Sequence, residues 1–127
     1  METHILVVED DAEIREGVAI YLKNQGYTVH GAANGAQGLE LARQLPIHLA
    51  VVDVMMPVMD GMEATQRIRD LKREDAASIP IIAMTAQTTA DIRETCRKAG
   101  MDDYIAKPIR EEELAKVIRK SWKVKKV

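Results

Sequence analysis

The chain has a single cysteine, Cys96, so no disulfide closes within it, which fits a reducing compartment. No apolar run approaches the ~20 residues that span a bilayer. Met1-Glu2-Thr3-His4 does not open a signal peptide either. The expectation is a cytoplasmic protein without membrane contact. Net charge is −2, which gives no overall pull toward nucleic acid. The residues after Pro108 are all needed for one helix and a tail, leaving no room for a DNA-binding helix-turn-helix. His4, His30 and His48 share no ligand spacing, which argues against a transition-metal site. No repeat or linker divides the 127 residues, and 46% hydrophobic with 30% charged is a globular composition. One domain is expected over residues 1–122, with a loose basic tail at 123–127.

What the sequence does have is four short apolar runs, each ending on a residue suited to phosphoryl chemistry. Ile5-Leu6-Val7-Val8 runs into Glu9-Asp10-Asp11, and Leu49-Ala50-Val51-Val52 into Asp53. Ile81-Ile82-Ala83-Met84 runs into Thr85, and Tyr104-Ile105-Ala106 into Lys107-Pro108. Helical periodicity lies between them: Ile14, Val18 and Leu22; Leu39 and Ala42; Ala64, Ile68 and Leu71; Ile92, Cys96 and Ala99; Leu114, Val117, Ile118 and Ser121 or Trp122. Asp11, Asn34, Asp60 and Thr88 or Thr89 are placed to cap helices, and Gly26 and Gly100 to stop them. A more polar strand at 27–32 belongs at a sheet edge.

Five strand–helix units imply an α/β, flavodoxin-like doubly wound (βα)5 fold with a parallel five-stranded sheet. The common order, 2-1-3-4-5, places strands one and three together at the switch point, where ligands bind beyond the strands' carboxyl ends. Glu9, Asp10 and Asp53 then converge and repel one another. Mg²⁺, which takes carboxylates together with waters and phosphate oxygens, relieves that repulsion. Lys107 adds a positive charge and Thr85 a hydroxyl donor. Phosphoryl transfer needs chiefly charge neutralisation and in-line positioning. A carboxylate can itself be the nucleophile, and Asp53 is the best placed.

These residues resemble the receiver domain of two-component response regulators, of the chemotaxis single-domain type. The matching stretches are V-V-E-D-D at 7–11, V-V-D-V-M-M-P at 51–57, M-D-G at 59–61, M-T-A at 84–86 and Y-I-A-K-P at 104–108. The resemblance implies Asp53 as phospho-acceptor and a metal set of Glu9 (through water), Asp10, Asp53 and the Met55 carbonyl. Thr85, Ala86 and Lys107 surround the phosphoryl group, Thr85 and Tyr104 form the switch, and the Lys107–Pro108 peptide is cis. Met55 and Gln87 flank the water path and tune the lifetime, with the Met55 thioether as a shield.

The implied partners are a histidine kinase or histidine phosphotransfer protein and an unnamed downstream protein, with no direct nucleic-acid binding. The receptive face is the fourth helix, fifth strand and fifth helix. Arg93, Asp102 and Asp103 resemble a dimer ion-pair pattern, but Val117 stands where such receivers carry arginine. A monomer is therefore expected before phosphorylation and at most a weak dimer after it. The alternative is an aspartyl-nucleophile phosphatase on a related fold. It would want an Asp-x-Asp loop after strand one and a cap insertion; Glu9-Asp10-Asp11 followed at once by a helix offers neither. The methionines read as core filler, with Met55, Met56 and Met59 shaping the loop beside Asp53.

Overall fold

The computed structural model describes residues 2–55, 59–71, 78–86 and 89–126, with side chains through 121. In chain order the elements are β1 (His4–Val8), α1 (Ala12–Asn24), β2 (Thr28–Ala32), α2 (Gly35–Gln44), β3 (Leu49–Asp53), α3 (Gly61–Arg69), β4 (Ile81–Thr85), α4 (Ala90–Ala99), β5 (Asp103–Ala106) and α5 (Glu111–Lys126). The sheet runs β2-β1-β3-β4-β5, parallel throughout, as the alternation of elements requires. β3 and β4 are buried along their whole length, whereas β2 at one edge is mostly half-buried.

Successive strand residues point to opposite faces, so one strand feeds two cores. Leu6, Val8, Ala50, Val52, Ile81 and Ala83 pack with Ala42 of α2, Ile68 of α3 and Cys96 of α4. Ile5, Val7, Leu49, Val51, Ile82 and Met84 pack with Val18 and Leu22 of α1 and with Leu114 and Ile118 of α5. The unbroken apolar runs follow from this double coverage. Truncating one of these large side chains to alanine costs about 2–5 kcal/mol.

The capping residues stand where their side chains suit them. Asp11 accepts the backbone N–H groups of Glu13 and Ile14, Asn34 that of Gln37, Asp60 that of Glu63, and Thr89 that of Ile92. Each such cap is worth about 1 kcal/mol. Thr88, the other candidate for α4, lies outside the described residues, as does the side chain of Trp122. Gly100 ends α4 with φ 105°, a left-handed conformation that costs glycine little. One expectation fails here: α5 continues through Lys126, so residues 123–126 are helical rather than a loose tail.

At the amino edge of the sheet the fold gathers residues far apart in sequence. Ile5 pairs with Leu49, which brings His4 beside His48, and Leu6 pairs with His30. His4 Nδ1 lies 2.9 Å from His30 Nε2, and the backbone N–H of His4 donates to His48 Nδ1 at 2.9 Å. The His4 and His30 rings lie within 3° of parallel. Burial first, then the neighbouring His4, holds His30 below the ordinary histidine range, with Glu2 opposing. Nearby, Arg69 at the end of α3 donates to the carbonyls of Ile79 and Gly100 and pairs with Asp102 at 2.9 Å. Asp102 also accepts the N–H of Ile81, so one ion pair ties α3, the start of β4 and the α4–β5 turn together.

Candidate functional site at the carboxyl edge

β1 and β3 are adjacent and end level with each other, which brings Glu9 and Asp10, just past β1, beside Asp53, the last residue of β3. Gly61 lets α3 begin close by: its N–H donates to the Val54 carbonyl at 3.1 Å. A Cβ there would fall on the Asp53 carbonyl. β5 then delivers Lys107 into the same crevice.

Lys107 Nζ lies 2.7 Å from Glu9 Oε1 and 3.2 Å from Asp53 Oδ1. Glu9 is fully buried and Asp53 is 3% exposed. Glu9 also accepts the backbone N–H of Asp11 at 3.1 Å, and Asp53 that of Met55 at 3.3 Å. Asp10 is exposed at the rim. The carboxylate oxygens that Glu9, Asp10 and Asp53 can offer a cation lie within 4.8 Å of one another.

Burial dominates the electrostatics of the two inner acids. It pushes Glu9 up to about 7 from an ordinary 4.5, against the pull of Lys107 and the Asp11 N–H and with that of Asp10 and Asp53. It also raises Asp53, where Glu9 and Lys107 oppose it. Asp10 is lowered, chiefly by its hydrogen bond with Glu9. Burial lowers Lys107, but Glu9 and Asp53 outweigh it and hold the ammonium above the ordinary lysine range. The crevice is thus strongly acidic, with one ammonium and an all-oxygen donor set. That donor chemistry fits a hard divalent cation such as Mg²⁺ and not a thiophilic one.

The remaining expected residues fall around this centre. Thr85 is 4% exposed at the end of β4, and its carbonyl accepts the Lys107 N–H at 2.9 Å. Ala86, next to it, is exposed. The Lys107–Pro108 peptide is cis. Tyr104 is half-buried on β5, with the Arg93 guanidinium 4.8 Å from its ring centroid. Gln87 and Met56 lie outside the described residues. Core filling describes Met84 and Met101, which are buried, but not Met55, which is 76% exposed.

Periodicity and motif spacing did not reveal the contacts of Arg15. Arg15 on α1 donates to the Glu9 carbonyl at 2.7 Å and lies against the bare backbone of Gly31 on β2, fixing the loop that carries Glu9 and Asp10. Only the absence of a side chain at residue 31 hinted at it. The residues that resembled a dimer pattern have partners inside the chain: Arg93 has Tyr104, Asp102 has Arg69, and Asp103 has the Tyr104 N–H and, at 3.8 Å, Lys120.

A family model described as the response regulator receiver domain matches residues 5–119. Regulatory protein VanR of Enterococcus faecium is 39% identical over 114 residues, 90% of this chain and 47% of that protein. Hybrid signal transduction protein dokA of Dictyostelium discoideum is 38% identical over 115 residues, 91% of this chain and 7% of that one. This chain therefore spans less than half the length of either relative. Among solved structures, the receiver domain of a sensor histidine kinase from Pseudomonas aeruginosa PAO1 superposes with a TM-score of 0.84 at 35% identity, covering 94% of this chain and 97% of that one. That structure holds a magnesium ion in its active-site cleft. Chemotaxis protein CheY4 of Vibrio cholerae gives a TM-score of 0.89 at 28% identity, covering 95% and 99%. With the sheet order and the acidic crevice already in place, these matches show that the chain belongs to the response regulator receiver domain family of two-component signalling.

Proposed function

We propose that this chain accepts a phosphoryl group on Asp53 from a histidine kinase or histidine phosphotransfer protein and transmits the change through its α4–β5–α5 face. The observation that carries this reading is the pairing of Lys107 with both Glu9 and Asp53 at the ends of three strands. An ammonium held between a metal-type carboxylate and a buried carboxylate is placed to meet an arriving phosphoryl oxygen.

In the step itself, an Asp53 carboxylate oxygen attacks phosphorus and the bond from phosphorus to the donor breaks. The donor leaves with the electron pair, and an acyl phosphate remains. Glu9, Asp10, Asp53 and the Met55 carbonyl would hold Mg²⁺, which when bound neutralises charge on the carboxylates and the phosphoryl oxygens. Lys107 stays protonated and shifts part of its pairing from Glu9 to the new oxygens. Thr85 donates its hydroxyl to the same group, and small Ala86 leaves the approach open. Tyr104 follows Thr85, changing the surface that a downstream protein reads. With Arg93, Asp102 and Asp103 partnered inside the chain, the unphosphorylated protein is a monomer and dimerises weakly at most when phosphorylated.

Incubation with a small phosphodonor and Mg²⁺ should add one phosphoryl mass, absent in Asp53→Asn. The same mass gain in Asp53→Asn, or phosphate recovered on histidine, overturns the assignment.

A further inference from the structure

We propose a second, separate metal site at the amino edge of the sheet, where His4 and His30 chelate a borderline late first-row divalent cation such as Zn²⁺ or Ni²⁺. The parallel register aligns Leu6 with His30. His4, two residues before Leu6, therefore shares a face with His30 and meets it diagonally across two adjacent strands. His4 Nδ1 and His30 Nε2 stand 2.9 Å apart with ring planes within 3°, so the two nitrogens face each other edge to edge. A contact of that length between two nitrogens is bridged by one proton. A cation that takes the proton's place with Zn–N bonds of about 2.0–2.1 Å in tetrahedral geometry needs the nitrogens roughly 3.3 Å apart. A small opening of the pair reaches that spacing. The exchange balances: the bridging proton leaves His30 Nε2 for solvent while solvent supplies one to His30 Nδ1, so both rings bind as neutral imidazoles with no net proton release, and water completes the coordination sphere.

Two further contacts preset the pair. Glu2 places a carboxylate oxygen 3.3 Å from His4 Nε2. With the His4 proton assigned to Nε2, which faces this acceptor, its Nδ1 lone pair faces His30. A carboxylate behind a ligating histidine also fixes its tautomer and ring orientation. His48 accepts the His4 backbone N–H at 2.9 Å and fixes the start of β1. All three rings are half-buried, so little rotamer freedom is lost on binding. The pair offers nitrogen where the carboxyl-edge crevice offers only oxygen, so Mg²⁺ has no claim on it.

The test titrates ZnCl2 by calorimetry into the Asp53→Asn chain with saturating Mg²⁺, which removes the acidic crevice as a competing site. One equivalent with micromolar affinity is expected, reversed by EDTA. His30→Gln, and separately His4→Gln, should weaken it roughly tenfold or more, while His48→Gln should not. In case a histidine variant fails to fold, proton NMR of the parent chain supplies a second readout, in which Zn²⁺ shifts the ring protons of His4 and His30 first. No binding in the parent at sub-millimolar Zn²⁺, equal binding in folded His30→Gln, or shifts confined to other residues overturns the proposal. Phosphorylation at Asp53 plays no part in these outcomes, so either reading can fail without the other.

Discussion

β1 and β3 carry unlike chemistry at their two ends. At the carboxyl ends Glu9, Asp10 and Asp53 crowd three carboxylates around one ammonium; burial raises Glu9 to about 7, and Lys107 offsets part of the repulsion. At the amino ends the same strands begin beside His4 and His48, and the neighbouring polar network is closed: Arg69 and Asp102 satisfy each other and the backbone groups of Ile79, Ile81 and Gly100. The carboxyl edge keeps charge that a phosphoryl group and Mg²⁺ can satisfy; at the amino edge the Arg69–Asp102 network spends its polar groups on holding turns together. Phosphoryl binding and switching belong at the carboxyl edge because its free energy changes most when a phosphoryl group arrives.

The comparison breaks most visibly at Arg69. Removing one partner of a largely buried ion pair strands the other and leaves carbonyls without donors. Arg69→Met should therefore cost roughly 2–4 kcal/mol in urea unfolding and leave the rate of Asp53 phosphorylation unchanged in the folded fraction. A variant as stable as the parent, or one that is stable but cannot be phosphorylated, would contradict the division of labour.

The two edges should also titrate in opposite senses. Glu9, facing Lys107, Asp10 and Asp53, is raised to about 7, so the folded apo protein holds its proton more tightly than the unfolded chain. That stabilisation is complete below pH 4.5 and is lost as pH rises through about 7, a change of roughly 1–3 kcal/mol. Mg²⁺ needs the deprotonated form, so its affinity should rise over the same window. His30, facing His4 and Glu2, is lowered, so its contribution is present above pH 6.5 and is lost as pH falls. Melting curves of the parent, Glu9→Gln and His30→Gln between pH 5 and 8, with EDTA, separate the two. Glu9→Gln should remove the alkaline loss and His30→Gln the acid loss. Unchanged pH profiles in both variants would sink this account.

A smaller effect is expected at Tyr104, on the face that reads out the carboxyl edge. The Arg93 guanidinium over its ring is worth about 0.5–1 kcal/mol at a partly exposed site. Arg93→Ala should lower stability by that amount, and Tyr104→Leu should make the second change neutral in a double-mutant cycle. Additive losses would mean that the contact carries no energy.

The legible parts of this molecule are those encoded within a few residues. Unbroken apolar runs announced the strands, and Asp11, Asn34, Asp60 and Thr88 or Thr89 announced helix starts, because capping and periodicity are local. Glu9, Asp10, Asp53 and Lys107 were legible because parallel strands deliver their ends to one edge whatever lies between. Arg15 on the Glu9 carbonyl, Arg69 on Gly100 and His4 on His30 were not legible. Those pairs depend on register and on side-chain reach across elements, which no spacing along the chain records. The partners of Arg93, Asp102 and Asp103 were hidden for the same reason: their charges were visible, but Tyr104, Arg69 and Lys120 beside them were not.

The smallest effect concerns how long an acyl phosphate at Asp53 survives. Hydrolysis needs a water held in line behind phosphorus, so the groups beside that path set the rate. Met55 follows Asp53 by two residues, and its N–H donates to the Asp53 carboxylate, so its side chain starts at the rim of the crevice. At 76% exposure the thioether is mostly in solvent, and its shielding comes from sweeping the approach rather than from sealing it. Replacing it with an amide removes a hydrophobic obstacle and adds a group that orients water. Met55→Asn should therefore shorten the phosphoryl lifetime about twofold, roughly 0.4 kcal/mol in barrier height, with Mg²⁺ affinity unchanged because the implied ligand is the Met55 carbonyl. Met55→Leu, which keeps the bulk, should decay as the parent does. Equal lifetimes in all three proteins would mean that water reaches the phosphorus by a path Met55 does not guard.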